Sequence, residues 1–488
     1  MLTVAELSPG MATHHASGRE GLHIDGEWRI PDDHIEVTDL TDGERFTRMA
    51  AAAPADVDDA FAAAERAEPA LRETTVVQRA EWLSAVAEGI ETRADVLAEI
   101  IVREAGKPIA SARGEVEAAA ERFRRAVEEV RSLDGDYLEG TTEGHEGWRA
   151  VVRKEPVGTV LCVTPYNYPL STAALQVAPA LAAGNAVVLK PASKTPVSGA
   201  VLAEIVVEAA PDVPDGAFSF VPGRASEIGD ALAGDDRVDA VAMTGSTAAG
   251  ERIADVSGMV ALHMELGGNA PAVVFPDADL EAVAGACAAG SLKYAGQRCS
   301  AVSRVLAHEA VHDEVVDRLD AEMEGWTAGD LFDPETRLGP LISEAQAEWV
   351  AELVDDAVDR GADLVRGGDR DGRVVEPTLL GDVPHDARIV HEEQFGPVAA
   401  VASVADESEA LALANGGDLG LDAAVFTSDY DRAMRLADRI EAGAVRINGA
   451  PSHGLGDIPF GGVKRSGIGR EGIGYTIDAF VREKTIVL

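Results

Sequence analysis

Cys299 lies in the stretch YAGQRCSAVSR, where a glycine, a glutamine and an arginine precede it. The chain has three cysteines, and the other two lie in apolar surroundings: Cys162 in the β-like run VGTVLCVTP and Cys287 in the small-residue helical run LEAVAGACAAGSL. A cysteine in such a run behaves as a small apolar residue, whereas a cysteine whose neighbours in the chain are polar can ionise and attack an electrophile. Cys299 is therefore the candidate nucleophile, and Cys162 and Cys287 are predicted packing residues.

A carboxylate and an amide in other motifs could serve such a nucleophile. MELGGNAP places Glu265 at the end of a predicted strand, beside two glycines. Glutamates are ordinarily exposed, but these neighbours favour a partly desolvated cleft, where the carboxyl pKa rises and the group can act as a base. In TPYNYPLS, Asn167 lies in a proline-flanked loop after a strand, as either a donor to an oxyanion or a simple turn residue.

The stretch MTGSTAAGERI has the pattern of a phosphate-binding loop. A strand ending in VAMTG leads into Gly245, Ser246 and Gly250 before a helix. Small residues at such a turn let a phosphate approach the backbone N–H groups of the helix N-terminus. By its glycine pattern alone, the stretch is equally well read as an ordinary strand-to-helix turn.

Two further motifs contain residues that could bind a dinucleotide. In NAVVLKPASKTP, Lys190 and Lys194 follow a strand, and Ser193 between them carries no charge. A lysine there can donate to an adenosine ribose, and an uncharged neighbour leaves room for a 2'-phosphate; the alternative is a pair of solvated surface lysines. HEEQFGP, which contains Glu393 and Phe395, is by itself typical of a surface turn.

Together and in this order, the motifs resemble the aldehyde dehydrogenase superfamily over residues 20 to 488. The resemblance rests on PYNYP, KPASKTP, TGSTAAG, MELGGNAP, GQRC, EEQFGP and PFGGVKRSGIGREG. It implies an α/β fold with a Rossmann-like cofactor domain, an α/β catalytic domain and a small β oligomerisation element. The expected parts are a mobile extension (1–20), the cofactor domain (21–132 and 153–262), the catalytic domain (263–465) and the oligomerisation element (133–152 and 466–488).

The resemblance also implies a mechanism. The Cys299 thiolate would attack the aldehyde carbon, and the Asn167 amide and the Cys299 backbone N–H would hold the oxyanion. Hydride transfer to NAD(P)+ would leave a thioester, which water activated by Glu265 would hydrolyse. The residues expected to bind the cofactor are Thr164, Pro165, Lys190, Ser193, Gly223, Thr244, Gly245, Ser246, Gly250, Leu266, Glu393 and Phe395.

Glu265 and Ser193 refine this expectation. Members of the family that pass the thioester to coenzyme A typically lack the base, so Glu265 favours release of the free acid over CoA acylation. Strict NAD users commonly have a glutamate where Ser193 stands, so NADP or dual use is favoured. A cofactor-independent cysteine hydrolase or acyl transferase is the alternative from a different class. It would usually need a histidine base, and none of the eleven histidines lies in a motif that pairs convincingly with Cys299.

The substrate is expected to be a small polar or anionic aldehyde. SEIGD, GERI and AGQRCSAVSRVL resemble the non-phosphorylating glyceraldehyde-3-phosphate dehydrogenase branch, in which the arginine before the cysteine, here Arg298, helps to hold an anionic group. Tyr168 and His453 are the other candidate substrate residues. His453 stands where that branch has a second arginine, and GEVEAAAERF offers no clear equivalent of its helix arginine. Lactaldehyde, succinate semialdehyde and a sugar-acid semialdehyde therefore stay open.

The spacing of apolar residues and turn residues along the chain predicts the helices and strands that must position these residues. LHIDGEWRI predicts a hairpin around Asp25 and Gly26, and residues 54 to 132 have apolar residues at helical spacing. Beyond residue 150, short apolar runs alternate with amphipathic helices, which predicts a doubly wound, mostly parallel sheet. A second α/β unit is expected to begin near residue 263. Ligands of such folds bind outside the carboxyl ends of the strands, where the motifs above are placed.

The charge balance excludes several classes of partner. The chain has 85 acidic and 42 basic residues and a formal net charge of -43, so nucleic acid and anionic membranes would be repelled. The sequence has no apolar run of roughly 20 residues and no secretory leader, which predicts a cytoplasmic protein. No metal site is predicted, and the resemblance implies a homodimer or homotetramer.

The acidic residues are spread along the whole chain, as in proteins that stay hydrated in high salt. We therefore expect a halophilic protein whose unfolding temperature and activity rise between dilute buffer and multimolar KCl, because salt screens the repulsion between carboxylates. Thermal unfolding and initial rates measured across this range test the expectation. Equal stability and activity at both extremes would contradict it.

Overall fold

Two antiparallel hairpins precede a layer of helices. The computed structural model describes residues 20–452, 454 and 456–488, so nearly all of the predicted extension lies outside the described residues. Asp25 and Gly26 both have positive φ, 54° and 76°, as the two-residue turn of a tight hairpin requires, which confirms the predicted hairpin. The first elements are β1 (Leu22–Ile24), β2 (Glu27–Arg29), β3 (His34–Thr38), β4 (Arg45–Ala50), α1 (Pro54–Arg72), α2 (Val76–Thr92), α3 (Ala94–Ala105), α4 (Ile109–Arg131), β5 (Asp136–Glu139) and β6 (Arg149–Pro156).

The predicted alternation after residue 150 forms a twisted sheet whose central strands are parallel. Its strands run in the order β2-β1-β9-β8-β7-β10-β11-β23, with parallel pairing from β9 to β11. Strands β7 and β8 are buried along almost their whole length because helices cover both faces. The elements are β7 (Thr159–Val163), α5 (Ser171–Ala183), β8 (Ala186–Lys190), α6 (Val197–Ala209), β9 (Phe218–Phe220), α7 (Ala225–Ala233), β10 (Ala240–Thr244), α8 (Thr247–Val256) and β11 (Ala261–Glu265).

A second sheet follows, in the order β14-β17-β18-β13-β12-β20-β21. Because β11 still belongs to the first sheet, the change of sheet falls between Glu265 and Ala270, slightly after the predicted position near residue 263. The elements are β12 (Ala270–Val274), α9 (Leu280–Leu292), β13 (Val302–His308), α10 (His312–Met323), α11 (Glu344–Asp359), β14 (Asp363–Arg366), β15 (Arg370–Asp371), β16 (Val374–Val375), β17 (Thr378–Gly381), α12 (Arg388–His391), β18 (Val398–Val404), α13 (Glu407–Asn415), β19 (Leu419–Gly420), β20 (Asp422–Phe426), α14 (Tyr430–Arg439) and β21 (Ala444–Ile447).

The C-terminal segment returns from the second sheet to the first. Its elements are β22 (Val463–Lys464), β23 (Gly467–Ile468), α15 (Ile473–Ala479) and β24 (Val481–Val487). Strand β23 pairs antiparallel with the end of β11, and β24 pairs with β6 from Val481 opposite Pro156 to Val487 opposite Ala150. Strands β24, β6 and β5 thus make a separate small sheet from the two segments that the resemblance assigns to an oligomerisation element.

Each large sheet has its own apolar core. Phe123 of α4 and Leu181 of α5 pack in the core of the first sheet, and Val350 and Leu353 of α11 pack on the second. Burying one large side chain of this kind contributes about 1.5–3 kcal/mol, so the two cores hold the strand ends firmly in place. No helix among the described residues is both long and apolar enough to cross a membrane.

Candidate active site

Two loops, one from each large sheet, meet at the candidate nucleophile. Asn167 lies in the loop after β7 of the first sheet, and Cys299 lies just before β13 of the second. The Asn167 side chain is buried, and its Nδ2 donates to the Gln297 carbonyl oxygen at 2.8 Å. An amide nitrogen carries two hydrogens, so one N–H remains for an oxyanion beside Cys299.

The loop that carries Cys299 has an unusual backbone. It begins with a 3-10 turn, Lys293–Gly296, in which Tyr294, Ala295 and Gly296 take φ values of 56°, 50° and 69°. This left-handed region is strained for residues with a Cβ and persists only where the surroundings enforce it. Here the Tyr294 hydroxyl donates to the Ala105 carbonyl oxygen at 2.7 Å. At Gly296, a Cβ would lie 2.0 Å from the Gly396 carbonyl oxygen, so glycine is required.

The loop is also fixed by the Gln297 side chain. Its Oε1 accepts from the Ile342 amide at 2.9 Å, and its Nε2 donates to the Pro340 carbonyl oxygen at 3.3 Å. Gln297 is fully buried, so both ends of its amide are satisfied by backbone groups of the second half of the molecule. The loop therefore presents Cys299 from a rigid base.

Glu265 ends β11 and is almost fully buried, with 1% of its surface exposed. Neither carboxyl oxygen accepts a hydrogen bond of ordinary geometry from the described residues. Burial raises the pKa of Glu265 well above its usual range, and the nearby carboxyls of Glu471 and Asp422 raise it further, against the opposing effects of Arg470 and the Gly462 amide. A buried carboxyl with a raised pKa is suited to take a proton from water.

The Cys299 thiol is partly exposed and surrounded by carboxylates. Burial raises its pKa, and the carboxylates of Asp422, Glu393 and Glu265 raise it further, while Arg298 opposes them. The thiol is therefore mostly protonated at neutral pH in the protein without ligands, and ionisation needs a proton acceptor or a nearby cation. Cys162 and Cys287 are fully buried in apolar packing, where burial also raises both thiol pKa values.

On the cofactor side, a buried lysine and hydroxyl have unused hydrogen-bonding capacity. Lys190 ends β8 with 5% of its surface exposed, and its Nζ donates to the Pro191 carbonyl oxygen at 3.1 Å. Burial lowers the pKa of Lys190 to about 8. The Thr164 backbone N–H donates to the Lys190 carbonyl oxygen at 3.1 Å, but the buried Thr164 Oγ1 has no hydrogen-bond partner among the described residues. Ribose hydroxyls and phosphate oxygens could form hydrogen bonds with the Lys190 ammonium and the Thr164 hydroxyl, so this pocket fits a dinucleotide.

The predicted phosphate loop lies next to Glu265. Ser246 caps α8, its Oγ accepting from the Ala249 amide at 3.3 Å, and the Gly245 amide donates to the Glu265 carbonyl oxygen at 3.1 Å. A Cβ at Gly250 would lie 2.5 Å from Leu266, so this glycine lets Leu266 pack beneath the helix. The exposed N-terminal turn of α8 remains available to an anion.

Four more predicted cofactor residues lie at the same edge of the first sheet. Ser193 Oγ donates to the Gly223 carbonyl oxygen at 2.8 Å, and Thr244 Oγ1 accepts from the Gln176 amide at 3.1 Å. Pro165 is partly exposed in the loop between Thr164 and Asn167. These residues come together around the carboxyl ends of β7, β8 and β10, where the doubly wound fold places its ligands.

Glu393 and Phe395 reach this edge from the second half of the molecule. Glu393 Oε1 accepts from the Gly268 amide at 2.9 Å, and burial raises the pKa of Glu393 to about 7. Phe395 has a φ of 46°, and its ring lies edge-on to Tyr166 with centroids 5.9 Å apart. The segment is therefore an ordered bridge between the two sheets, and not the surface turn that HEEQFGP suggests by itself.

Arg298 and Tyr168 lie beside Cys299. Arg298 Nη2 donates to Ser300 Oγ and to the Pro451 carbonyl oxygen, both at 3.3 Å, and these partners are neutral. The Arg298 cation and the Cys299 thiol both affect the pKa of the Tyr168 hydroxyl, which burial raises. His453 lies outside the described residues, so its predicted role has no structural counterpart.

Several buried charged residues at this site were missed by the sequence reasoning. Asp422 starts β20, 4% exposed, and Glu471 belongs to the quoted motif PFGGVKRSGIGREG. Burial raises the pKa of Glu471 to about 7, against the effect of Arg122. Lys107 and Glu115, from the helical layer, form a fully buried ion pair. An acid inside an apolar strand, as in LGLDAAVF, was the available signal for Asp422.

The comparisons with known proteins agree with this geometry. Residues 28–486 match the aldehyde dehydrogenase family model. An NADP-dependent glyceraldehyde-3-phosphate dehydrogenase of Streptococcus equinus is 36% identical over 95% of this chain and 98% of its own length. A 3-sulfolactaldehyde dehydrogenase of Priestia aryabhattai is 37% identical over 96% of this chain and 98% of its own length. The crystal structure of the Bacillus halodurans NADP-dependent glyceraldehyde-3-phosphate dehydrogenase with NADP superposes with a TM-score of 0.94, at 36% identity, over 96% of this chain and 98% of that one.

Replacing Asp422 by asparagine tests the electrostatics around the thiol. Because the Asp422 carboxylate raises the pKa of Cys299, Asp422→Asn is expected to lower it, so that iodoacetamide alkylates Cys299 faster at a given neutral pH. The pH profile of the alkylation rate measures the shift. Asp418→Asn, whose side chain is 79% exposed, is the matched surface control. An unchanged or upward-shifted profile for Asp422→Asn would contradict the electrostatic assignment.

Proposed function

The chain belongs to the aldehyde dehydrogenase family, and on that basis we propose that it oxidises a small polar or anionic aldehyde to the free carboxylic acid with NADP as acceptor. The observation that carries this proposal is the convergence of Cys299, Asn167 and Glu265 beside a pocket that fits a dinucleotide. The three side chains come from loops and strand ends of both sheets, and each has the burial or hydrogen bonding that its proposed role needs.

In the first step, the Cys299 thiol gives its proton to one of the carboxylates around it, which passes the proton to solvent, and the thiolate attacks the aldehyde carbon to form a thiohemiacetal. The remaining N–H of the Asn167 amide, together with the Cys299 backbone N–H, stabilises the oxyanion. Bound NADP+ would supply the hydride acceptor for the oxidation of the aldehyde carbon. The product of this step is a thioester on Cys299, and the rigid Gln297 contacts keep its carbonyl beside the same donors.

In the second step, Glu265 takes a proton from the water that attacks the thioester. Its carboxyl oxygens are available because neither is held in a hydrogen bond of ordinary geometry. A retained base of this kind favours hydrolysis over transfer to coenzyme A. The alternative of a cofactor-independent cysteine hydrolase is less favoured, because the groups that shift the Cys299 pKa within the described residues are carboxylates and an arginine.

We assign the cofactor to the edge formed by β7, β8 and β10. Lys190 and Thr164 would donate to a ribose or its phosphate, the N-terminus of α8 would face the pyrophosphate, and Glu393 with Phe395 would contact the nicotinamide ribose. Ser193 in place of a carboxylate allows a 2'-phosphate. The NADP named for the Streptococcus relative and for the Bacillus structure supports NADP here.

We assign the anionic end of the substrate to Arg298, with Tyr168 beside it. Arg298 is bound only by neutral groups among the described residues, so its charge is available to a ligand. The substrates named for two relatives carry a phosphate or a sulfonate, which supports an anionic aldehyde. Lactaldehyde, which is neutral, and semialdehyde acids, whose carboxylate could bind Arg298, remain the alternatives.

We also propose the domain division given above and a homodimer or homotetramer built on the small sheet. The strands of this sheet and the residues next to them expose apolar side chains that a partner could cover, namely Tyr137, Leu138, Trp148, Val487 and Leu488. Sedimentation velocity distinguishes these oligomers from a monomer. A cytoplasmic location suits a mechanism that needs a reduced thiol.

Two substitutions separate the proposed chemical steps. Cys299→Ser should abolish formation of reduced nicotinamide, because the hydroxyl is a far weaker nucleophile. Glu265→Gln should keep a single-turnover burst of reduced nicotinamide but slow steady-state turnover roughly 10²-fold or more, as loss of a general base does. Stopped-flow absorbance in the near ultraviolet measures both phases. Undiminished turnover in either variant would contradict the mechanism.

A panel of aldehydes tests the substrate proposal. Arg298→Met should lower kcat/KM for anionic aldehydes about 10- to 100-fold, since a charge-assisted hydrogen bond contributes about 1.5–3 kcal/mol. It should leave short neutral aldehydes within about twofold, because they make no such contact. Glyceraldehyde 3-phosphate, lactaldehyde, succinate semialdehyde and propionaldehyde, each assayed with NADP and NAD, make up the panel. An equal loss for charged and neutral substrates would remove the anion-binding role from Arg298.

A further inference from the structure

We propose that Lys107, buried between two tyrosines and paired with Glu115, is a positioning residue. It fixes the position of the oxyanion donor Asn167 relative to the nucleophile Cys299. This inference rests on the roles proposed above for those two residues. Lys107 has no assigned function, and it lies beneath the two catalytic loops in the helical layer.

Lys107 contacts both loops through their tyrosines. It follows α3 and is 1% exposed. Its Nζ lies 3.5 Å from the ring centroid of Tyr168 and 4.5 Å from that of Tyr294. Tyr168 directly follows Asn167, and Tyr294 belongs to the 3-10 turn that leads to Cys299. A desolvated cation over an aromatic face contributes about 2 kcal/mol. The ammonium therefore joins the two loops where the Tyr168 and Tyr294 rings also lie edge-on to each other, with centroids 6.1 Å apart.

Glu115 holds the loop that contains Asn167 and Tyr168. Its Oε2 forms the ion pair with Lys107 Nζ, and its Oε1 accepts from the backbone N–H groups of Leu170 at 3.0 Å and Ser171 at 3.2 Å. These are the first amides of α5, where a carboxylate also interacts favourably with the helix dipole. The turn that contains Asn167 and Tyr168 is thus anchored to α4 by a charged side chain.

Further contacts hold both loops at the same residues. Arg122 of α4 donates to the Ser171 carbonyl oxygen, so both N–H and C=O groups of this turn bind α4 side chains. The Tyr294 hydroxyl donates to Ala105, two residues before Lys107. The link between Asn167 and Gln297 closes the circuit at 2.8 Å. Lys107 is therefore the central member of a closed set of contacts around both catalytic loops.

Stability alone is a poor reason for this arrangement. A fully buried ion pair recovers its desolvation cost only when its geometry is excellent, and apolar residues of similar volume are often as stabilising. Accurate positioning is a stronger reason, because a displacement of about 1 Å between reacting groups can cost about 10²-fold in rate. Burial lowers the pKa of Lys107 to about 8 against the opposing effect of Glu115, so the ammonium stays charged at neutral pH.

Replacing Lys107 by methionine tests the proposal. The burst rate of reduced nicotinamide at saturating aldehyde and NADP should fall about 10²-fold, while the KM for NADP stays within about twofold. Alkylation of Cys299 by iodoacetamide, which needs no oxyanion donor, should keep its rate and pH profile. The decisive measurement is a double-mutant cycle with Asn167→Ala. If Lys107 acts through Asn167, the loss caused by Lys107→Met should largely disappear in the Asn167→Ala background.

Arg103→Met is the matched control. Arg103 lies in α3, just before Lys107 in the chain, and pairs with Asp39 at 2.7 Å in a mostly buried ion pair that touches neither catalytic loop, so its loss should lower the unfolding temperature and leave the burst unchanged. If Lys107→Met does not fold, Glu115→Gln replaces it and should slow the burst by a smaller factor with alkylation intact.

Three results would overturn the proposal: an unchanged burst in the Lys107 or Glu115 variant, parallel losses of burst and alkylation, or the same loss with and without Asn167. A full burst in the Asn167→Ala variant would contradict the oxyanion role of Asn167 in the proposed function. This result is independent of what the Lys107 variants do.

Discussion

The catalytic geometry depends on a hydrogen bond between two loops that belong to different sheets. The Asn167 amide comes from the first sheet and the Gln297 carbonyl from the second, and their 2.8 Å contact sets the distance from the proposed oxyanion donor to the nucleophile. Neither sheet can supply the site alone. The other cross-contacts, such as Glu393 with the Gly268 amide, stabilise the same alignment of the two halves. The strained backbone at Tyr294 and Ala295 persists because the Tyr294 hydroxyl and the Gln297 side chain hold the loop on both sides of it.

The second constraint is the crowding of carboxylates in a space with little water. Glu265, Glu471, Asp422 and Glu393 all lie near one another or near Cys299, and burial raises the pKa of three of them. Such an arrangement opposes folding, because desolvated like charges repel. It also gives the site proton acceptors with pKa values closer to neutrality than a solvated carboxylate has. Perturbed groups of this kind concentrate at functional sites, where chemistry and not stability decides the residue.

The sequence predicted the elements of this site better than their contacts. The alternation of strands and helices, the Asp25-Gly26 hairpin and a strand ending at Glu265 could all be derived from periodicity and turn residues, which are local properties. The contact between Asn167 and Gln297 could not be derived in this way, because the two residues are 130 positions apart and meet only when the two sheets pack together. Lys107 escaped notice for the same reason, because it looks like an ordinary charged residue in the sequence. Asp422 differs, since an acid inside an apolar strand is a local signal. HEEQFGP taken by itself is typical of a surface turn because the motif says nothing about the opposing sheet.

The distribution of positive charge supports the proposed use of the site. In a chain with a net charge of -43, many exposed arginines pair with acids, as Arg252 does with Asp230 and Arg465 with Glu251. Lys190 and Arg298 differ, since their hydrogen bonds within the described residues go to neutral oxygens. The field of so acidic a protein repels an anionic cofactor and an anionic aldehyde alike. Cations that are not neutralised by the protein are therefore needed where these ligands bind. Lys190 at the proposed cofactor edge and Arg298 at the proposed substrate end meet this need.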